Sequence, residues 1–213
     1  MFKFPYKLYL VTDTEACGSR NLFEVVEAAV KGGVDIVQLR EKNLPEKDFL
    51  RRAIDLKELL DKYHVPLIIN DSLTVAKQSF STGIHVGNND ISPEYIRQTW
   101  LNVGVIGYSL EDLQQLTTAS ALFSDYIALS PVFNTLTKKD TITEWGLEGV
   151  ALVRSLTQKP LVAIGNVHVK NAKNIITAGA DCLAVVSAIC SAANPEKAAA
   201  DIRNEIEKSI TKR

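Results

Sequence analysis

Eight short runs of apolar, largely β-branched residues are strung along this chain, and each is followed by a longer stretch with helical spacing. The runs are Leu8–Asp13, Ile36–Arg40, Pro66–Asp71, Gly83–Gly87, Val103–Ser109, Tyr126–Phe133, Pro160–Gly165 and Cys182–Ser187. Near-continuous apolar runs of this length are what strands covered on both faces look like. The stretches between them are Leu22–Lys31, Glu46–Lys62, Leu73–Phe80, Pro93–Trp100, Leu110–Thr118, Leu147–Thr157, Asn171–Ala178 and Pro195–Lys208. In the second, Phe49, Ala53, Leu56 and Leu60 share one helix face. Gly32-Gly33, Gly83 and Gly179 each follow a helical stretch, where a left-handed cap suits glycine. Eight strands alternating with eight helices predict a (β/α)8 (TIM) barrel, with residues 1–213 as a single domain. An open doubly wound sheet would usually carry a Gly-x-Gly-x-x-Gly turn after its first strand; here that strand ends Val11-Thr-Asp-Thr-Glu15.

Composition narrows the partners. Lys plus Arg total 24 and Asp plus Glu 25, so the formal charge is −1. Such a balance lacks the long-range pull of a nucleic-acid or membrane-surface binder and points to small-molecule substrates. Cys17, Cys182 and Cys190 are scattered and odd in number, as free thiols in a reducing cytoplasm are. No apolar run approaches the ~20 residues that cross a bilayer, and Met1–Pro5 does not read as a signal peptide. A homo-oligomer is left open.

Barrel chemistry sits at the carboxyl ends of the strands, so the polar residues there carry the functional argument. After the second strand, alternation points Gln38, Arg40 and Lys42 the same way, toward the mouth. An amide and two cations on one lip suit a multiply charged oxyanion, although a solvated loop reads the same. The third strand ends Asn70-Asp71, and the fourth runs through His85 to Asp90. Two acids at neighbouring strand ends supply hard oxygen ligands for Mg²⁺; alternatively, each caps the helix that follows it. Thr135-Leu-Thr137-Lys138 lies in the longest loop, whose hydroxyls and ammonium suit phosphate, or simply solvent. Gly165 and Ser187 end the last two strands, where barrels often bind a phosphate, although a tight turn and a capping serine fit too. The absence of a His-x-x-x-His pair argues against zinc, and nothing frames Ser109 as a nucleophile.

Taken in order, Val37-Gln-Leu-Arg-Glu-Lys42, Ile69-Asn-Asp71, His85-Val-Gly87 with Asp90, Pro131-Val-Phe133 with Thr135-Leu-Thr-Lys138, Ala163-Ile-Gly165 and Ala184-Val-Val-Ser-Ala188 resemble the thiamine-phosphate synthase (thiamine-phosphate pyrophosphorylase) family. The resemblance runs from about Leu8 to Ala192. It implies a transferase that joins 4-amino-2-methyl-5-hydroxymethylpyrimidine diphosphate to 4-methyl-5-(2-hydroxyethyl)thiazole phosphate, with pyrophosphate leaving before the thiazole nitrogen attacks. Carried over by position, Asp71 and Asp90 would hold Mg²⁺. Arg40, Lys42, Asn70, Ser109 and Lys138 would contact the pyrophosphate, and Gln38 the pyrimidine region. Thr135, Thr137, Gly165, Val186 and Ser187 would take the thiazole phosphate. Of these, Arg40, Lys42, Ser109 and Lys138 would be the catalytic set.

The chain departs from the family pattern at four places. Ser72 stands for an arginine, Asn88 for a glutamine, Ser130 for a glycine, and Asn166 for the second glycine of Ala-Ile-Gly-Gly. These motivate two rival readings. A thiazole tautomerase-like isomerase would be expected to carry a histidine in a Ser-x-His segment after the fifth strand, where this chain has Ser109-Leu-Glu111. A non-catalytic phosphate-ligand-binding barrel would not need the metal and leaving-group residues.

Overall fold

The computed structural model describes residues 4–134 and 143–210. Eight parallel strands close into a barrel in sequence order. They are β1 (Leu8–Val11), β2 (Ile36–Leu39), β3 (Leu67–Asn70), β4 (Gly83–Val86), β5 (Val105–Leu110), β6 (Tyr126–Leu129), β7 (Leu161–Ile164) and β8 (Cys182–Val185). Closure is made by β1 pairing with β8, Tyr9 opposite Ala184. Around the barrel run α1 (Leu22–Lys31), α2 (Glu46–Asp61), α3 (Leu73–Gln78), α4 (Pro93–Thr99), α5 (Ala119–Phe123), α6 (Gly146–Leu156), α7 (Val169–Ala178), α8 (Ser187–Cys190) and α9 (Pro195–Ile210). No described helix is long and apolar enough to cross a membrane.

Strand alternation divides the apolar residues into two cores. Outward-facing Leu8, Leu10, Val37, Leu39, Leu67 and Ile69 pack against the helices, α2 contributing the predicted Phe49, Ala53, Leu56 and Leu60. Inward-facing Ile36, Ile68, Val105, Val162 and Cys182 plug the lower barrel, with Phe4 beneath. One layer higher the interior turns polar, with Gln38, Asn70 and His85 all buried. A barrel normally fills such layers with branched aliphatics. The change of chemistry at this level makes the floor of the cavity described below.

Two expectations need correction. The segment Leu110–Thr118 is not one helix: β5 runs on through Leu110, and a short 3-10 turn over Leu113–Thr117 is closed by an Asp112/Gln115 capping box before α5 begins. Gly83 is not a helix cap but the first residue of β4, where an added Cβ would overlap the Val105 carbonyl. The left-handed residue after α3 is Phe80, at φ 53°. Gly33 and Gly179, by contrast, do have positive φ, at 102° and 127°.

Candidate active site

A cavity opens at the carboxyl ends of the strands, enclosing about 1150 Å³ with its mouth included. Its wall includes Gln38, Arg40 and Lys42 from β2 and the loop after it. Glu41, between the two cations, pairs instead with Arg52 of α2 at 2.6 Å. Asn70, Asp71, Asp90 and Ser109 line the same cavity from β3, the β4 loop and β5. Gly165, Val186 and Ser187 line it from the far side. Thus ten residues singled out in the sequence face one space. Thr135, Thr137 and Lys138 lie outside the described residues.

The carboxylates are not helix caps. Ser72 caps α3, accepting from Val75 N at 3.2 Å, and Ser92 caps α4, accepting from Tyr95 N at 3.3 Å. Asp71 is therefore released to the rim, in a left-handed conformation (φ 61°) that aspartate tolerates better than most residues. Its amide donates to the His85 carbonyl at 2.9 Å, and its carboxylate receives Lys42 Nζ at 2.6 Å. Asp90 accepts from Gly87 N at 2.8 Å. Partial desolvation holds the Asp90 carboxyl above its ordinary range; the Gly87 bond opposes this, and the neighbouring Asp71 carboxyl adds to it. Two carboxyl groups that approach so closely repel when both are ionised, and a cation relieves that. Hard oxygens from two carboxylates, with room for further oxygen ligands in the cavity, fit Mg²⁺. Among the described residues no cluster of three or more His, Cys, Asp or Glu forms a fuller metal cage.

The cations differ in availability. Lys42 is engaged by Asp71, whereas among the described residues the Arg40 guanidinium pairs with no carboxylate. The Arg40 backbone is anchored by its amide donating to the buried Thr12 hydroxyl at 3.1 Å. Across the cavity, Gly165 and Asn166 both have positive φ, 114° and 51°. A Cβ on Gly165 would lie 2.5 Å from Pro131 Cβ, so glycine is needed for space as well as for conformation. At Asn166 the departure from glycine keeps the left-handed backbone, and Asn171 Nδ2 holds its carbonyl at 2.9 Å. Ser187 is the first residue of α8, and no side chain caps that helix, so the capping reading of this serine fails.

Among the lining residues that were not singled out as site residues in the sequence are Tyr9, His85 and Tyr126. They form a buried hydrogen-bonded series running from Gln38 to Ser109. Strand alternation signals only that each faces one side of the sheet; barrel closure makes that side the inside.

A closed (β/α)8 barrel with a polar cavity at the carboxyl ends of its strands is the architecture of barrel enzymes. Comparison with known proteins gives the particular kind. The family model for thiamine monophosphate synthase matches residues 8–189, and the chain belongs to that family of transferases in thiamine biosynthesis. The thiamine-phosphate synthase of Albidiferax ferrireducens is 47% identical over 201 residues, covering 94% of this chain and 92% of that protein. The thiamine-phosphate synthase of Vibrio parahaemolyticus is 42% identical over 194 residues, covering 91% and 95%. Among solved structures, thiamine phosphate pyrophosphorylase from Pyrococcus furiosus superposes with a TM-score of 0.88 at 29% identity, covering 97% and 98%. A 3-hexulose-6-phosphate synthase, at 16% identity and a TM-score of 0.70 over 93% and 99% of the chains, shares the fold.

Proposed function

We propose that this chain forms thiamine phosphate by joining 4-amino-2-methyl-5-hydroxymethylpyrimidine diphosphate to 4-methyl-5-(2-hydroxyethyl)thiazole phosphate, releasing pyrophosphate. One observation carries the reading: the guanidinium of Arg40, the Lys42–Asp71 pair, Asp90, Asn70 and Ser109 surround a single cavity. Cations, amide and hydroxyl donors and a carboxylate pair together suit a magnesium diphosphate better than any single phosphate.

Asp71 and Asp90 are the residues that would hold Mg²⁺, which when bound supplies positive charge to the departing diphosphate. Arg40 and Lys42 stabilise the charge that grows on the leaving oxygens as the bond to the pyrimidine methylene breaks. Asn70 and Ser109 add neutral donors to the same group, and Gln38 orients the pyrimidine. The aminopyrimidine ring delocalises the methylene cation left behind, and the thiazole nitrogen then attacks it. Gly165, Val186 and Ser187 take the thiazole phosphate, joined by Thr135 and Thr137. Lys138 supplies a further cation to the leaving group. No side chain needs to act as a covalent nucleophile, so the chemistry is positioning and charge stabilisation.

The test is a Mg²⁺-dependent assay with both substrates present. Pyrophosphate release that requires the thiazole phosphate and yields thiamine phosphate is the expected result. Binding of either substrate without turnover would defeat the reading in favour of a non-catalytic barrel. Isomerisation of a thiazole carboxylate phosphate with no need for the pyrimidine would favour the tautomerase.

A further inference from the structure

Beneath the cavity a continuous series of hydrogen bonds crosses the inside of the barrel. Gln38 Nε2 donates to the Tyr9 hydroxyl at 3.0 Å, and the Tyr9 and Tyr126 hydroxyls lie 3.1 Å apart. The Tyr126 hydroxyl is 3.0 Å from His85 Nδ1, and His85 Nε2 is 2.9 Å from Ser109 Oγ. Five side chains from β1, β2, β4, β5 and β6 are thus connected; four are buried, and Ser109, at the end, is half-buried. The middle of the series depends on a glycine. Gly107 of β5 stands in register between His85 of β4 and Tyr126 of β6, and a Cβ there would overlap both the tyrosine hydroxyl and His85 Nδ1. Glycine inside a strand commonly marks such a close approach.

The direction of the series follows from donor counting. Each tyrosine has one O–H to give. Burial raises the pKa of both, so both remain hydroxyls. Tyr9 accepts from Gln38 and, to satisfy its own proton, donates to Tyr126. Tyr126 has then accepted once and donates to His85 Nδ1. A neutral imidazole that accepts at Nδ1 carries its proton at Nε2 and donates it to Ser109 Oγ. Ser109 has then accepted from below, and its own O–H is left to point into the cavity. The reverse order would spend that proton on His85 and present only lone pairs to a ligand, which repel an anion.

We infer that Gln38, Tyr9, Tyr126 and His85 form a directional relay of hydrogen bonds that positions Ser109 as a hydrogen-bond donor to an anion in the cavity. His85 and Tyr126 are therefore positioning residues rather than catalytic ones. Buried polar networks of this kind are costly unless fully satisfied, so the relay is maintained as a unit. The inference rests on the proposed function only for taking that anion to be the diphosphate leaving group.

Tyr126→Phe breaks the relay one bond from His85 while keeping the ring. Nitrogen-15 NMR of the full-length protein reads the tautomer directly: in the unmodified chain Nε2 of His85 carries the proton and Nδ1 is bare. In Tyr126→Phe the Nδ1 resonance loses the shift of a nitrogen that accepts a hydrogen bond. Inorganic pyrophosphate with Mg²⁺, titrated by calorimetry, binds roughly tenfold more weakly to Tyr126→Phe, the scale of one charge-assisted hydrogen bond. Ser109→Ala loses a similar factor, and the double variant loses no more than either alone, because both remove one interaction. A merely structural tyrosine would give additive losses and an unchanged Nδ1 resonance, which would overturn the inference. So would an Nδ1-protonated His85 in the unmodified chain, a measurement that needs no variant to fold. His85→Gln, whose amide can still donate to Ser109, binds pyrophosphate more tightly than His85→Leu; equal binding by the two counts against the relay. Failure of thiamine phosphate synthesis alongside the expected tautomer and coupling would defeat the proposed function and leave the relay standing.

Discussion

Asp71 and Asp90 share the rim with Lys42, whose Nζ lies 2.6 Å from Asp71. Because desolvation and Asp71 hold the Asp90 carboxyl above its ordinary range, the folded chain binds that proton more tightly than the unfolded chain. The stabilisation from the protonated form is present below the unfolded carboxyl range and is lost as pH rises through the raised value. At neutral pH, without a divalent cation, ionised Asp90 therefore costs stability. Asp90→Asn is expected to raise the thermal midpoint of the metal-free chain at neutral pH. That advantage should close as the pH falls into the carboxyl range, as calorimetric melting at several pH values would show. The same variant is expected to lose roughly a hundredfold or more in Mg²⁺-dependent turnover. Unchanged turnover would remove Asp90 from the metal site. Gly165 makes a second residue-scale case, with φ at 114° and Pro131 Cβ 2.5 Å from where a side chain would begin. Gly165→Ala combines a disfavoured backbone with overpacking and should cost about 3 kcal/mol in denaturant unfolding.

At the scale of elements, short helices depend on their ends. α3 has six residues and α4 seven, and their caps are Ser72 and Ser92. Ser72→Ala and Ser92→Ala should each lower stability by about 1 kcal/mol. Asp71→Asn should change it little, yet abolish Mg²⁺-dependent turnover. Urea titrations beside an activity assay would separate these outcomes, and a large stability loss in Asp71→Asn would return that residue to a capping role. These serines also show what sequence reading could and could not reach. The strands were legible because runs such as Leu67-Ile-Ile69 are covered on both faces, and α2 because its apolar face repeats over sixteen residues. The Leu110–Thr118 segment misled because Leu110, Leu113 and Leu116 recur at helical spacing, while Leu110 actually completes β5. Whether Asp71 or Ser72 caps α3 turns on a single backbone conformation, the left-handed φ of Asp71. Gln38 was legible because alternation fixes its side of β2, and Arg40 and Lys42, in the loop after β2, reach the same cavity. The Tyr9–Tyr126–His85 relay was not, because its partners come from strands 41 to 117 residues apart and meet only when the barrel closes.

The whole molecule is held at the end opposite the cavity by one device used three times. An aspartate sits immediately before β2, β6 and β8, and its carboxylate takes the first amides of the preceding strand. Asp35 accepts from Lys7 N and Leu8 N at 3.0 Å, Asp125 from Ile106 N at 2.7 Å, and Asp181 from Leu161 N at 2.9 Å. An arginine from a surrounding helix completes each: Arg203 of α9 on Asp35, Arg97 of α4 on Asp125, Arg154 of α6 on Asp181. Each clamp ties a strand pair to a helix where backbone amides would otherwise lack partners. The β3–β4 pair has Thr82 in the corresponding place, with its amide donating to Leu67 O and its carbonyl accepting from Gly104 N. Removing a clamp carboxylate leaves a part-buried guanidinium and a strand amide without their acceptor, so Asp125→Ala should cost roughly 2–3 kcal/mol. The clamps lie at the amino ends of the strands and the chemistry at the carboxyl ends, so kcat and KM below the new melting temperature should match the unmodified chain. Asp35 and Asp181 flank β1 and share its entry residue, since Lys7 N donates to the Asp35 carboxylate and Lys7 Nζ to the Asp181 carbonyl. Asp125 shares no such partner with Asp35. Alanine at Asp181 keeps the main-chain carbonyl that holds Lys7 Nζ, so a double-mutant cycle should give additive losses for Asp35→Ala with Asp125→Ala and for Asp35→Ala with Asp181→Ala. Equal coupling in both pairs would mean that the barrel's lower rim yields as one ring rather than clamp by clamp.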